Sequence, residues 1–94
     1  MSTGGTGRVA LVTGGGRGIG RAIAQQLARD GIAVAVNYRG GADAAAETVR
    51  SIEEAGGTAI ALAGNVSDAT EAAKLIADTV AHFGRLDVLV NNAG

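Results

Sequence analysis

The 94-residue sequence has no cysteine, no proline and no tryptophan, and it contains a single tyrosine and a single phenylalanine. The absence of cysteine excludes a disulfide framework, a zinc-thiolate site and a cysteine nucleophile. Eight basic and nine acidic residues give a net charge of −1. No lysine- or arginine-rich run is present that would follow a phosphate backbone or an anionic membrane. We therefore expect neither a nucleic acid nor a membrane as a partner.

Long apolar runs are missing as well. No apolar stretch approaches the roughly 20 residues that cross a bilayer. The opening segment Met1 to Arg8 lacks a basic stretch followed by an apolar one. On these grounds the sequence predicts a cytoplasmic protein. Its length suits one small domain and leaves no room for a separate substrate domain.

Glycine is abundant, with sixteen residues, and it is concentrated in turns between apolar segments. Four short, continuously apolar segments are typical of strands that are covered on both faces. These predicted strands are Val9 to Val12, Ile32 to Val36, Ala59 to Ala63 and Leu86 to Val90.

Three intervening segments have apolar residues at the spacing of an amphipathic helix. The first begins at Gly18, the second spans Ala42 to Ala55, and the third precedes Gly84. Asp68 and Glu71 form a capping-box pattern at the start of the third. The predicted buried stripes are, in order, Ile19, Ala22, Ile23 and Leu27; Ala42, Ala45, Val49 and Ile52; and Ala72, Ile76, Val80 and Phe83.

Strands that alternate with helices and are joined by short turns predict an α/β fold. We expect a Rossmann-type parallel sheet with helices on both faces, comprising four strands and three helices of an incomplete doubly wound domain. In such sheets ligands bind beyond the carboxyl ends of the strands. Function is therefore expected at residues 13–20, 37–41, 64–68 and 91–94, all of which are polar or glycine-rich.

The segment Thr13 to Gly20 joins the first predicted strand to the first helix and has the spacing GxxxGxG. Glycines let the backbone approach a ligand closely, and the start of the helix offers unpaired N–H groups with partial positive charge. That combination suits a pyrophosphate. The lysine of a nucleoside-triphosphate loop is absent. On the glycines alone, a tight strand-helix turn without a ligand remains the alternative.

A second motif, Asn91-Asn92-Ala93-Gly94, directly follows the fourth predicted strand, and Asn65-Val66-Ser67-Asp68 lies between the two motifs. With these three segments the chain resembles the short-chain dehydrogenase/reductase family from Arg8 to Gly94. Within that family it is most similar in style to 3-oxoacyl-carrier-protein and acetoacetyl-coenzyme A reductases. The resemblance implies a partial dinucleotide-binding domain over residues 8–94, preceded by a flexible terminus over residues 1–7.

The resemblance also implies a set of cofactor-binding residues. The glycine loop would line the phosphates, Asn65 and Val66 would lie beside the adenine, and Asn92 to Gly94 would lie near the nicotinamide ribose. Asp87 would be structural, and Asn91 would help to join the central strands. The complete predicted set is Gly14, Gly15, Gly16, Arg17, Gly18, Ile19, Gly20, Arg39, Asn65, Val66, Asn92, Ala93 and Gly94.

The end of the second predicted strand indicates which nicotinamide cofactor binds. An acidic residue there binds the ribose hydroxyls of NAD, whereas a nearby arginine favours the extra phosphate of NADP. No carboxylate occurs between Val36 and Asp43, but Arg39 is present and Arg17 lies in the glycine loop. These residues favour NADP over NAD. The alternative is that both arginines are ordinary solvated surface residues.

No catalytic and no metal-binding residue is predicted in this sequence. Members of the resembled family use a serine, a tyrosine and a lysine four residues after the tyrosine, whereas Tyr38 and Lys74 are the sole tyrosine and lysine here. We therefore expect the chain to be the cofactor half of a longer, homo-oligomeric enzyme that reduces a carbonyl or acyl-thioester substrate, and to be inactive by itself. A stand-alone nucleotide-binding or interaction module without catalysis is the alternative.

Overall fold

The computed structural model describes residues 7–92. The expectations for residues 1–6 and for Ala93 and Gly94 lie outside the described residues. Strands and helices alternate along the whole described range. Their bounds are β1 Val9–Val12, α1 Gly18–Arg29, β2 Ala33–Tyr38, α2 Ala42–Glu54, β3 Ala59–Ala63, α3 Ala69–Phe83 and β4 Val88–Val90.

The strands form one parallel sheet in the order β3-β2-β1-β4. Consecutive strands β1, β2 and β3 run outward to one edge, and β4 then pairs on the other side of β1. The order of the strands therefore reverses between β1 and β4, and in sheets of this kind ligands bind beyond the carboxyl ends of the strands at such a reversal. The predicted α/β class, with four parallel strands and three helices, is confirmed.

The two faces of the sheet are covered by different helices. Alternate residues of a strand point to opposite faces, and the buried side chains divide accordingly. One core joins Val12, Val34 and Val36 to Ala24 of α1 and to Ile52 of α2. The other joins residues of β1 and β2 to α3. Its buried members are Leu11, Ala35 and Leu75. Helices thus lie on both faces, as the sequence predicts.

The bounds of two strands differ from the sequence prediction. Strand β2 runs from Ala33 to Tyr38, beyond the predicted end at Val36. The extension arises because Asn37, although polar, is 2% exposed and pairs with β3 like its apolar neighbours. Strand β4 begins at Val88, not at Leu86, since pairing with β1 starts opposite Ala10.

The buried stripes of all three helices differ from the prediction. Ala22 of α1 and Ala42 of α2 are exposed, and Thr48 is buried in α2 beside Ala45 and Ile52. Ile19 is 73% exposed, while Gly20 and Ala24 carry the burial of α1. In α3 the buried residues are Leu75 and Thr79. The predicted core residues of that helix, Ile76 and Val80, are each 40% exposed. Thr79 is tolerated inside because its hydroxyl donates to the carbonyl oxygen of Leu75 at 2.7 Å, so no polar group is left without a partner.

The predicted cap of α3 is present in a modified form. The Asp68 carboxylate accepts from the backbone N–H groups of Thr70 and Glu71 at 2.9 and 3.0 Å. In a standard capping box Glu71 would bind the backbone of Asp68. Here Glu71 instead accepts from the backbone N–H of Asn65 at 2.8 Å. Glu71 thereby ties the loop after β3 to the first turn of α3.

None of the helices between residues 7 and 92 has the length and apolar character that a bilayer span requires.

Asp87 joins the start of β4 to the start of β1. Its Oδ2 accepts from the backbone N–H of Val9 at 2.8 Å, and its own N–H donates to the Val9 carbonyl at 2.9 Å. Arg85 donates to both carboxylate oxygens at 2.9 and 2.6 Å. The hydrogen bonds from Arg85 and then from Val9 lower the pKa of Asp87. These contacts give Asp87 a structural role.

The folded-state pKa of Asp87 lies below its ordinary value of 3.8. The charged carboxylate therefore stabilises the fold above pH 3.8. This stabilisation is lost as the pH falls through the folded-state pKa. Asp87→Asn should therefore lower the free energy of unfolding at pH 7. The difference from wild type should shrink below about pH 4. Urea unfolding of the full-length protein at several pH values measures the difference in free energy of unfolding between Asp87→Asn and wild type. Glu54→Gln, at the exposed end of α2, is the control; a difference that stays constant down to pH 2 would contradict this role.

Candidate functional site

The glycine loop, residues 13–17, lies between the carboxyl end of β1 and the start of α1. Gly14 and Gly18 have φ angles of +63° and +54°, in the left-handed region that side chains disfavour. These two glycines turn the backbone back over the sheet and direct it into α1.

Gly20 makes the close packing of this loop possible. A Cβ atom on Gly20 would overlap the carbonyl oxygen of Gly14 and would lie 2.6 Å from Nδ2 of Asn92. Because the Gly14 carbonyl is a backbone group, it could give way only through a shift of the loop. The third glycine of the GxxxGxG motif therefore lets the first turn of α1 lie directly against the loop.

Three other elements hold the same loop. Asn92, after β4, donates from Nδ2 to the Gly14 carbonyl at 3.2 Å. Asn37, at the end of β2, accepts from the Gly14 N–H through Oδ1 at 3.4 Å. Thr48 of α2 is fully buried and its hydroxyl lies 3.3 Å from the Gly16 carbonyl. The loop is thus fixed from β2, β4 and α2 at once.

The amino ends of α1 and α3 differ in a way that bears on ligand binding. In α3 the Asp68 carboxylate satisfies N–H groups of the first turn. In α1 the N-cap residue is Arg17, whose side chain makes no capping hydrogen bond, and the first turn holds no acidic residue. The amino end of α1 therefore keeps its N–H groups and its partial positive charge available to an anion.

Thr13 links the glycine loop to the segment after β4. Its hydroxyl accepts from the backbone N–H of Asn92 at 2.9 Å. The same hydroxyl lies 3.3 Å from the Val90 carbonyl and 3.4 Å from Oδ1 of Asn91. Asn91 and Asn92 are brought beside the loop as expected.

The loop after β3 contains the predicted adenine-binding pair, Asn65 and Val66. Oδ1 of Asn65 accepts from the backbone N–H of Ser67 at 3.0 Å, and the backbone of Asn65 is held by Glu71. The carboxamide NH₂ of Asn65 has no partner among residues 7–92 and remains available as a donor. Val66 is half-buried and packs against the core on the α3 side.

Arg17 reaches from the glycine loop across the turn between β2 and α2. Its Nη2 lies 2.7 Å from the position that a Cβ of Gly41 would occupy, and Gly41 has a φ angle of +74°. Gly41 therefore both makes the turn and leaves room for the guanidinium. Arg39 is exposed on the same turn. Within residues 7–92 neither arginine pairs with a carboxylate, so both cations at this edge are without an acidic partner.

The sequence-predicted residues from Gly14 to Gly20, together with Arg39, Asn65, Val66 and Asn92, thus lie along one edge of the sheet. In the described range 7–92, no group of histidine, aspartate and glutamate side chains is arranged to hold a metal ion. Two residues of the site are not in the predicted set of binding residues, Thr48 and Asn37, although Asn37 begins the predicted functional segment 37–41. Asn37 directly follows an apolar run, and an asparagine at the carboxyl end of a buried strand was a signal that could have identified it.

Two clefts of the described structure lie away from these loops. One of about 220 Å³ separates α1 from α2 and is lined by Gln25 and Ser51 among others. A second of about 270 Å³ lies at the amino ends of the strands. The candidate site is identified by its loop geometry.

Known proteins share this arrangement. Elsinochrome reductase 1 of Elsinoe fawcettii is 54% identical over 88 residues, which are 94% of this chain and 33% of that protein. The 3-oxoacyl-(acyl-carrier-protein) reductase of Staphylococcus aureus strain Mu50 is 53% identical over 85 residues, 90% of this chain and 35% of that protein. The chain therefore spans about a third of the length of the curated relatives it matches.

Among solved structures, a short chain dehydrogenase from Burkholderia cenocepacia J2315 in complex with NADP superimposes with a TM-score of 0.91 at 44% identity. The match covers 98% of this chain and 38% of the other. The family model described as short chain dehydrogenase matches residues 8–94. Because this model covers almost the entire sequence and agrees with the fold and with both motifs, the chain belongs to the short-chain dehydrogenase family.

Proposed function

We propose that the chain is the NADP-binding part of an oxidoreductase that transfers a hydride between the nicotinamide and a carbonyl or alcohol substrate. The observation that carries the proposal is the uncapped amino end of α1 behind the glycine loop, with Arg17 lying across Gly41 beside it. An anion-binding helix terminus next to two unpaired guanidinium groups suits a ligand that carries both a pyrophosphate and a further phosphate.

The proposed direction of the dinucleotide follows the loops along the sheet. The adenine would lie at Asn65 and Val66 after β3, and the 2′-phosphate would lie at Arg39 and Arg17. The pyrophosphate would lie at the amino end of α1. The nicotinamide ribose would lie near Asn92 after β4, and the predicted contacts of Ala93 and Gly94 lie outside the described residues. This assignment follows the sequence of loops along the order β3-β2-β1-β4 and extends across the point where the strand order reverses.

The bound dinucleotide supplies or accepts the hydride. The residues of this chain bind and orient it. Backbone N–H groups at the start of α1 hold the pyrophosphate, and the glycines exclude side chains from that space. Asn92, fixed by Thr13 and by the Gly14 carbonyl, holds the segment at the nicotinamide end. The proton transfer that accompanies reduction of a carbonyl needs an acid that this chain does not offer, because Tyr38 has no lysine four residues later.

NADP is preferred to NAD in this proposal, and two bound structures of similar proteins support it. NADP is present in the Burkholderia cenocepacia structure and in that of a metagenomic short-chain oxidoreductase. Within this chain the supporting feature is the pair Arg17 and Arg39, since a planar guanidinium binds a phosphate through two parallel hydrogen bonds. No carboxylate stands between Tyr38 and Asp43 to hold a ribose hydroxyl instead.

Arg39→Ala should weaken binding of NADP more than that of NAD and should lower the ratio of the two affinities at least tenfold, because a hydrogen bond to a charged group contributes about 1.5–3 kcal/mol. Calorimetric titration of the full-length protein with each dinucleotide gives the ratio. Arg29→Ala, at the far end of α1, is the matched control and should leave the ratio unchanged. Equal losses for NADP and NAD would refute the assignment of the 2′-phosphate site.

The substrate of the full-length protein is a 3-oxoacyl thioester in our first proposal, and the Staphylococcus aureus relative named as a 3-oxoacyl-(acyl-carrier-protein) reductase supports it. A polycyclic aromatic ketone is the second candidate, favoured by similarity to a hydroxynaphthalene reductase of Aspergillus fumigatus at 48% identity.

NADPH oxidation by the full-length protein should be faster with acetoacetyl-coenzyme A than with a hydroxynaphthalene-derived ketone. Both should be tested at equal concentrations and in the absence of enzyme as a blank. A faster oxidation of NADPH with the hydroxynaphthalene-derived ketone would instead favour the second substrate class. No turnover of either substrate, with NADPH still bound, would instead favour a nucleotide-binding module without catalysis.

A further inference from the structure

Asn37 is a buried polar side chain in the middle of the candidate site. It is 2% exposed and lies at the end of β2, between the glycine loop after β1 and the loop after β3. A buried carboxamide costs free energy unless each of its polar atoms has a partner. In this structure both atoms have one, and the partners belong to different loops.

The acceptor side of Asn37 faces the glycine loop. Its Oδ1 accepts from the Gly14 N–H at 3.4 Å, and its backbone carbonyl accepts from the Gly15 N–H at 3.0 Å. The donor side faces β3, where Nδ2 lies 3.2 Å from the Leu62 carbonyl and 3.1 Å from the Gly64 carbonyl. The orientation of the amide follows from these partners, because an N–H lies on one side and two carbonyl oxygens lie on the other.

We propose that Asn37 is a positioning residue that fixes the spacing between the glycine loop and the loop after β3. This inference rests on the proposed function, in which the first loop binds the pyrophosphate and the second binds the adenine of the same molecule. One ligand that must contact both loops binds more tightly when their separation is fixed before binding, because less ordering is then required on association.

The chemistry of the position is specific to a carboxamide. An aspartate would keep the acceptor for the Gly14 N–H but would turn a carboxylate oxygen toward the Leu62 and Gly64 carbonyls. Those oxygens raise the pKa of such a carboxyl group, and its protonated form regains a donor of the same shape. A leucine would have a similar volume but neither a donor nor an acceptor, and would leave all three backbone groups without this partner.

The experiment compares the wild-type, Asn37→Leu and Asn37→Asp full-length proteins with two probes. NADP spans both loops, whereas adenosine 2′-monophosphate contains the adenine and the 2′-phosphate but no pyrophosphate. For Asn37→Leu, the Kd of NADP should rise about tenfold and that of adenosine 2′-monophosphate by less than about twofold, because only NADP depends on the spacing between the adenine site and the pyrophosphate site. A merely destabilising substitution would weaken both probes by the same factor.

The pH profile of Asn37→Asp gives an independent readout. Its NADP affinity, expressed relative to wild type at each pH, should be lowest at about pH 8 and recover several-fold toward about pH 5 as the carboxyl group is protonated. Asn37→Leu should show no such recovery. That difference separates loss of the hydrogen bonds from loss of packing.

The outcomes are distinct. Wild-type protein that binds neither probe would refute the proposed function itself. If the wild type binds both probes, three results would each overturn the role of Asn37. The first is an unchanged NADP affinity in Asn37→Leu, and the second is an equal loss of affinity for both probes. The third is an NADP affinity of Asn37→Asp that does not recover at low pH. If neither variant folds, hydrogen exchange of the wild-type protein tests the role of Asn37. Adenosine 2′-monophosphate should slow exchange of the Gly14 and Gly15 amides, and unchanged exchange would contradict the proposal.

Discussion

The contact between the Gly14 carbonyl and the first turn of α1 is the constraint on which the candidate site depends. It exists because Gly20 has no side chain, since a Cβ there would overlap that carbonyl oxygen. The close approach brings the amino end of α1 against the end of β1. It also places the carbonyl where Nδ2 of Asn92 donates to it at 3.2 Å. Because Gly20 has no methyl group, the glycine loop, α1 and the segment after β4 can pack against one another.

Around this contact, three polar side chains of the site hold the backbone of the glycine loop. Thr48, Asn37 and Asn92 each reach a backbone group of the glycine loop from a different element. Among residues 7–92, no buried side-chain nitrogen or oxygen atom lacks a partner. A fully satisfied polar network in a low-dielectric environment is stiff. The loops are therefore held in position before a ligand arrives, which reduces the ordering entropy that binding would cost.

Much of the fold could be predicted from the sequence because apolar runs, helical spacing and glycine turns are local signals. Strand β1 illustrates this, since its continuously apolar run Val9–Val12 is buried throughout. The errors have a common physical cause. Thr48 and Thr79 are buried because each hydroxyl donates to a carbonyl one turn earlier, at 3.2 and 2.7 Å, and a stripe defined by apolar residues alone omits them. Asn37 was missed because its partners are 23 to 27 residues away.

The most direct test of this account is the affinity of Gly20→Ala full-length protein for NADPH, measured by fluorescence titration. The added methyl group should displace the Gly14 carbonyl and Asn92, so we expect binding to weaken at least about tenfold, a loss typical of overpacking by one methylene. The far-ultraviolet circular dichroism should stay unchanged. Ala22→Ser, which adds one atom to the exposed face of the same helix, should bind as wild type does. Unchanged affinity in Gly20→Ala would show that NADPH does not bind against this loop.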